Sequence, residues 1–310
     1  MVPCEYETER VSPTVAVIEA RSTTVWLNQA HRGIPMTQAA LQMWEAMLPP
    51  LDGVASLGAT WQPALGEPFA LPNERPPVCA AWPNLMIPIA PNNSERVLTL
   101  FRDVRPRTGF DSNVAALNNT VDELIRVAPS DSPKWVLMQS SGYATCETEA
   151  RNTPDARVAA PHFANALRRG VRVMLFAVFP NNNNTNDFSW DLARGQDFDA
   201  IEAWAVAGGA LRRNGPAHFW VWTETEAIAS AIRDNVISPY YCHVRATVPD
   251  VDRDRVVLLS EQGTEIPRET GWRWNTDHTN FIDILGAYCE SVTRSRSSLR
   301  FVTRQHSCYP

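Results

Sequence analysis

Short apolar runs rich in β-branched residues alternate with helix-periodic stretches from residue 14 to residue 236. This alternation restricts the fold more than any other feature of the chain. Residues 14–18, 54–61, 84–89, 134–140, 171–179 and 218–223 have the length and composition of buried strands. Helical spacing fills the intervals. Residues 37–51 place Ala40, Leu41, Trp44, Met47 and Leu48 on one face and are stopped by Pro49-Pro50. Residues 94–104 follow, with Ser94 as N-cap. A run capped by Asp111 or Ser112 continues through Ala128, with Val114, Leu117, Val121, Leu124 and Ile125 inward. Further helices are predicted over residues 161–169, ended by Gly170, over 198–208, closed by Gly208-Gly209, and over 224–236. Strands and helices in this order make βαβ units. The expected class is doubly wound α/β, a mostly parallel sheet with helices on both faces and its crevice at the C-terminal ends of the strands.

The pattern changes after Pro239. Strand candidates at residues 243–248, 255–259, 272–274, 281–285 and 299–303 are separated by turn residues, and no long helical period intervenes. The expectation is a first domain over residues 1–237 and a small all-β domain over residues 238–310.

Net charge is −6, with no basic patch, which excludes phosphate tracking and so nucleic-acid binding. Lys134 is the sole lysine among 28 basic side chains. No apolar run approaches the ~18 residues of a transmembrane helix. The sequence begins without a charged n-region or h-region, so no signal peptide is visible. The six cysteines, Cys4, Cys79, Cys146, Cys242, Cys289 and Cys308, form no CxxC pair and no zinc spacing. They are compatible with three disulfides or with buried thiols, and spacing does not choose the pairing.

Other constellations carry little chemistry. Asp250, Asp252, Asp254 and Glu261 imitate EF-hand spacing, but Arg255 stands where the loop needs glycine, so a solvated turn before a strand is expected. Asn92, Asn118 and Asn183 begin Asn-x-Ser/Thr triplets. There is no Gly-x-Ser-x-Gly, His-Glu-x-x-His, Walker or Gly-x-Gly-x-x-Gly motif, and no His can be placed beside Ser140-Ser141, so an enzyme is not expected. Eleven tryptophans are present. Trp220 and Trp222, like Trp272 and Trp274, alternate along strands and suit core packing. An exposed Trp26, Trp61, Trp82 or Trp190 would instead mark a partner surface.

The segment from Trp135 to Cys146, a buried strand ending in Gln139-Ser140-Ser141-Gly142, resembles the fourth-strand region of von Willebrand factor A (VWA) domains. The resemblance also rests on the apolar strand before Glu19, on Ala207-Gly208-Gly209, and on the helix leading to Cys242. The Gly271-Trp272 and Gly286-Ala287-Tyr288-Cys289 segments resemble the cysteine-bearing β tail of bacterial envelope VWA proteins. The resemblance implies a metal-ion-dependent adhesion site built from three loops, and this chain departs from each loop. Where the family has Asp-x-Ser-x-Ser, this chain has Glu19-Ala20-Arg21-Ser22-Thr23. Asp111 or Ser112 takes the place of the second-loop threonine, and Ser141 that of the third-loop aspartate. Mg2+ wants near-octahedral oxygen ligands that include carboxylates, and the cationic Arg21 opposes it. The resemblance therefore implies a degenerate, metal-free site in which Arg21 pairs with Glu19 or Asp111. The open alternative is a rebuilt Mg2+ or Mn2+ site using Glu19, Asp111 and Ser140. It also implies the disulfides Cys79–Cys146, Cys242–Cys289 and Cys4–Cys308.

The expected function is an extracytoplasmic, non-enzymatic protein-binding or adhesion module without a cofactor. Its partner would be a protein held by loops around residues 19–31, 111–113, 140–147 and 181–187. The alternatives are metal-dependent adhesion and a structural envelope component.

Overall fold

The computed structural model describes residues 5–6, 8–19, 36–61, 85–103, 113–140, 156–177, 196–209, 212, 215, 217–221, 224–246, 248, 253–276, 280–297 and 299–303. The chain divides into two compact units, residues 13–231 and residues 1–12 with 232–310. The strands β1 (Glu5–Tyr6) and β2 (Thr8–Arg10) belong to the latter.

In residues 13–231 the strands are β3 (Thr14–Glu19), β4 (Ser56–Trp61), β5 (Ile87–Pro91), β6 (Lys134–Ser140), β7 (Val171–Ala177) and β8 (Trp220–Val221). They form one six-stranded sheet in the order β5-β4-β3-β6-β7-β8. All neighbours are parallel except β5, which runs antiparallel to β4 at the edge. Pro88 and Pro91 lie in β5, where a missing N–H is tolerated only at an edge. The chain builds the sheet outward from β3 in one direction, then from β6 in the other. The strand order therefore reverses between β3 and β6, the switch point of a doubly wound sheet.

The helices are α1 (Met36–Met47), α2 (Ser94–Asp103), α3 (Asn113–Val127), α4 (Ala156–Arg168), α5 (Gln196–Gly208) and α6 (Thr225–Ile232). Trp44 of α1 meets Phe101 of α2 and Phe176 of β7, with ring centroids 5.8 Å apart in each pair. On the opposite face Trp204 of α5 stacks on Phe163 of α4 at 5.5 Å. Gly208 lets α5 approach β7, since a Cβ there would lie 3.0 Å from that of Val173. The sequence places the start of α4 at residue 161, whereas the helix begins at Ala156 and carries Pro161 inside. The proline sits less than two turns from the start, so it removes only one early intrahelical bond.

The helical run of α6 continues through a π-turn (Arg233–Ile237) into α7 (Ser238–Cys242). Pro239 is the cause. In an α-helix its ring would strike the carbonyl of Asn235, and the turn widens instead, with Ser238 N–H donating to Arg233 O.

The second unit holds two antiparallel four-stranded sheets. With β9 (His243–Ala246), β10 (Val256–Leu259), β11 (Glu265–Ile266), β12 (Trp272–Trp274), β13 (Phe281–Ile284) and β14 (Arg300–Thr303), their orders are β1-β14-β10-β11 and β12-β13-β9-β2. Val244, Leu258, Trp272, Ile282 and Ile284 are buried. The expected all-β composition needs correction. Helix α8 (Gly286–Ser295) stands between β13 and β14. Its sequence shows no apolar stripe because Val292 is its one buried residue, and so the periodic signal is missing. It ends at Arg296, whose φ of 53° is a left-handed cap. Cys242 and Cys289 are joined by a disulfide with Cα atoms 5.4 Å apart, which ties α8 to the end of α7. The other four cysteines lie outside the described residues, as do Asp250 and Asp252.

Gly58 of β4 sits at the irregularity in β4–β5 pairing. A Cβ there would fall 2.7 Å from Ile89 Cγ1, 2.8 Å from Leu85 Cδ1 and 2.9 Å from the Ile87 carbonyl oxygen. Gly58→Val is expected to destabilise by about 1–3 kcal/mol through overpacking, read as a lower urea midpoint at unchanged slope.

Candidate functional site

The C-terminal edge of the sheet is built by the ends of β3, β4 and β6 and by the start of α3. Buried polar side chains gather there: Glu19 (5% exposed), Thr60 (4%), Asn113 (0%), Gln139 (0%) and Ser140 (1%). Among the described residues, Glu19 is the one carboxylate in the buried class.

Strand register divides this group between the two faces. Ile18 lies opposite Met138 and Thr60, and Val17 opposite Leu137. Side chains alternate along a strand. Ser140 and Thr60 therefore leave the sheet on the face of Ile18 and Met138, which α3 covers. There Ser140 Oγ donates to Asn113 Oδ1 at 3.2 Å. Glu19 leaves on the other face with Val17 and Leu137. Gln139, opposite Phe176, shares it, and this is the face on which Trp44 of α1 meets Phe176.

The sequence-predicted positions are thus separated in part. Glu19 and Ser140 both lie at the switch point, but their side chains start on opposite faces. Arg21, Thr23, Asp111, Ser112 and Ser141 lie outside the described residues. Asn113 was not singled out by sequence reasoning as the partner of Ser140. Its signal was its place directly before Val114, the first inward residue of the α3 period. Gln139 and Thr60 each stand one position before the end of a strand, inside runs that read as buried strands, where a single polar residue carries no signal of its own.

A hard divalent cation needs several oxygen ligands converging on one point, usually with one or two carboxylates. The described residues supply one buried carboxylate on one face and a hydroxyl–amide pair on the other, and by themselves do not make such a set. No cluster of three His, Cys, Asp or Glu side chains occurs among them. The chemistry available at Ser140 and Asn113 is hydrogen bonding between neutral groups.

Ion pairs elsewhere hold structure. Arg212 donates to both oxygens of Glu224 at 2.8 Å, and Glu224 also accepts Val221 N–H at 3.0 Å, which ties the end of the short β8 to the residue before α6. His218 Nδ1 and its backbone N–H both meet the Glu202 carboxylate on α5.

No protein-family model matches the chain, and no curated protein matches it. Solved structures do. The manganese-loaded TRAP protein of Plasmodium vivax is similar at 12% identity and a TM-score of 0.48, over 75% of this chain and 77% of that one. BatB of Bacteroides thetaiotaomicron is similar at 12% identity and 0.48, over 72% and 98%. The von Willebrand factor type A protein of Catenulispora acidiphila is similar at 12% and 0.42, over 95% and 59%. The likeness is one of fold outline, and neither a residue's role nor a function is taken from it.

The Ser140–Asn113 contact is open to a direct check. Asn113→Ala is expected to destabilise by about 1–3 kcal/mol, because a buried polar group loses its partner. Ser140→Ala should cost less. The double variant should fall short of the sum by about 0.5 kcal/mol or more in a urea double-mutant cycle.

Proposed function

We propose that this chain is a non-enzymatic protein-binding module whose partner is held at the C-terminal edge of the parallel sheet. The observation that carries this reading is where the chain spends its length. Five of the six connections at that edge, residues 20–35, 62–86, 104–112, 141–155 and 178–195, span nine residues or more, and the sixth, residues 222–224, is short. At the opposite edge, residues 92–93 and 169–170 suffice for two connections, and residues 48–55, 128–133 and 209–219 make the others. A doubly wound sheet binds at its C-terminal edge, and a rigid scaffold carrying long connections on one side is the usual design of a recognition surface. The connecting sequences include Trp26, Trp82, Tyr143, Phe188 and Trp190, residue types that anchor interfaces.

The reading is metal-independent. Glu19 and Ser140 diverge across the sheet, and Arg21 adds a positive charge to the first connection, which opposes a divalent cation. It is also extracytoplasmic, supported by the Cys242–Cys289 disulfide, a bond kept in oxidising compartments. Among the described residues no helix is long and apolar enough to cross a membrane.

A thermal melt in EDTA, then in millimolar Mg2+, Ca2+ or Mn2+, is expected to show no shift. A specific ion at about 100 times its dissociation constant would add about 2.7 kcal/mol, several degrees for a chain of this size. A shift abolished by Glu19→Ala would replace this reading with metal-dependent adhesion. A photo-crosslinking amino acid placed at Trp26 or Trp190 should capture a protein partner. The same group at Gly170, on the opposite edge, should not. Capture at Gly170 alone would move the binding surface and refute the proposal.

A further inference from the structure

The run Glu5 to Arg10 serves two sheets at once. β1 is the edge strand of one, paired with β14 through Glu5 opposite Val302 and Tyr6 opposite Phe301. β2 is the edge strand of the other, paired with β9 through Thr8, Glu9 and Arg10 opposite Ala246, Arg245 and Val244. None of these five side chains is buried. The contacts that hold the run include ladder bonds, Thr8 Oγ1 donating to Leu299 O at 3.4 Å, Glu9 paired with Arg245 at 3.1 Å, and a clamp at its end. The clamp is Arg10, whose guanidinium donates to Ser297 O and lies 4.6 Å from the ring centre of Tyr241 and 5.6 Å from that of Tyr240.

Where Cys4 is not bonded to Cys308, such a segment is easily released, since local opening follows burial and none of its described side chains is buried. Its release uncovers two strand edges whose N–H and C=O groups seek a replacement. An identical segment from a second copy restores every bond. Only Val11, Ser12 and Pro13 connect β2 to β3, and Pro13 biases Ser12 toward extended backbone, which lets the run point away from its own chain.

We propose that residues 5–10 are an exchangeable strand. In a second copy of this chain they fill the joined edges of β14 and β9, with Arg10 between Tyr240, Tyr241 and the Ser297 carbonyl setting the register.

Paired cysteine variants of the full chain test this. Glu9→Cys and Arg245→Cys in one chain place thiols on directly opposed residues and should close within that chain. Mixed singly substituted chains can join Glu9→Cys to Arg245→Cys only by exchange. They are expected to give a covalent heterodimer at twice the chain mass, about tenfold or more above the random-collision control of Glu9→Cys mixed with Arg273→Cys. Adding Arg10→Ala should speed its appearance. Heterodimer at the control level, where the double variant closes, overturns the proposal. If the double variant does not close, Thr8→Cys with Ala246→Cys, also opposed, is read by the same criterion. Unlabelled and 15N-labelled wild-type protein give an independent reading by native mass spectrometry: mixed dimers support exchange, and monomers alone at high concentration refute it.

Discussion

The structure depends on β3 being paired on both sides and covered on both faces. All six of its residues are buried, with β4 on one flank and β6 on the other. A strand so placed cannot slip, because a shift of one residue would send every side chain to the wrong face. Its register therefore sets those of β4 and β6, and with them the side of the sheet that each residue at the C-terminal edge occupies. Glu19 faces away from Ser140 for this reason alone. The pleat decides which polar groups meet before any hydrogen bond is formed.

Much of the central unit was legible in the sequence, for identifiable physical reasons. β3, β6 and β7 are mostly apolar runs because both faces are covered, and α3 buries Val114, Leu117, Val121 and Leu124, although Ile125, expected inward, is exposed. Where the stripe is absent, reading fails. Helix α8 has one buried residue and was taken for part of an all-β tail. No described side chain of β1 or β2 is fully buried, so these strands present no apolar run to read, and the expected first domain includes them although they pair with β14 and β9. The π-turn was also invisible, since Pro239 reads as a stop when a widened turn accommodates it.

The site was less legible than the fold. The resemblance directed attention to Glu19 and Ser140, and both do lie at the switch point. Whether two residues on neighbouring strands share a face depends on register, which belongs to the pair of strands and is not written in either. Asn113 was missed for a related reason. Its contact with Ser140 joins a helix start to a strand end 27 positions away, and nothing local in either segment announces it.

The two edges of the sheet also differ in how their polar groups are satisfied. At the N-terminal edge the protein meets its own needs. Lys134 Nζ donates to the carbonyls of Pro129, Ser130 and Ser132 at 3.0–3.3 Å, and burial lowers its pKa below the ordinary lysine value. Thr14 and Ser132 join hydroxyls at 2.8 Å. Asn93 donates to Leu57 O and Pro88 O, and Asp52 accepts from both the backbone and the hydroxyl of Ser94. Around the starts of β3, β4 and β6, bonds within the chain close that edge. A protein ligand would gain little by competing with bonds already made. At the C-terminal edge the buried layer is complete at Ser140 and Asn113, and the chain beyond it is long. In the function proposed above, recognition built there varies the connections without disturbing the layer beneath, and that reading rests on this separation of scaffold from surface.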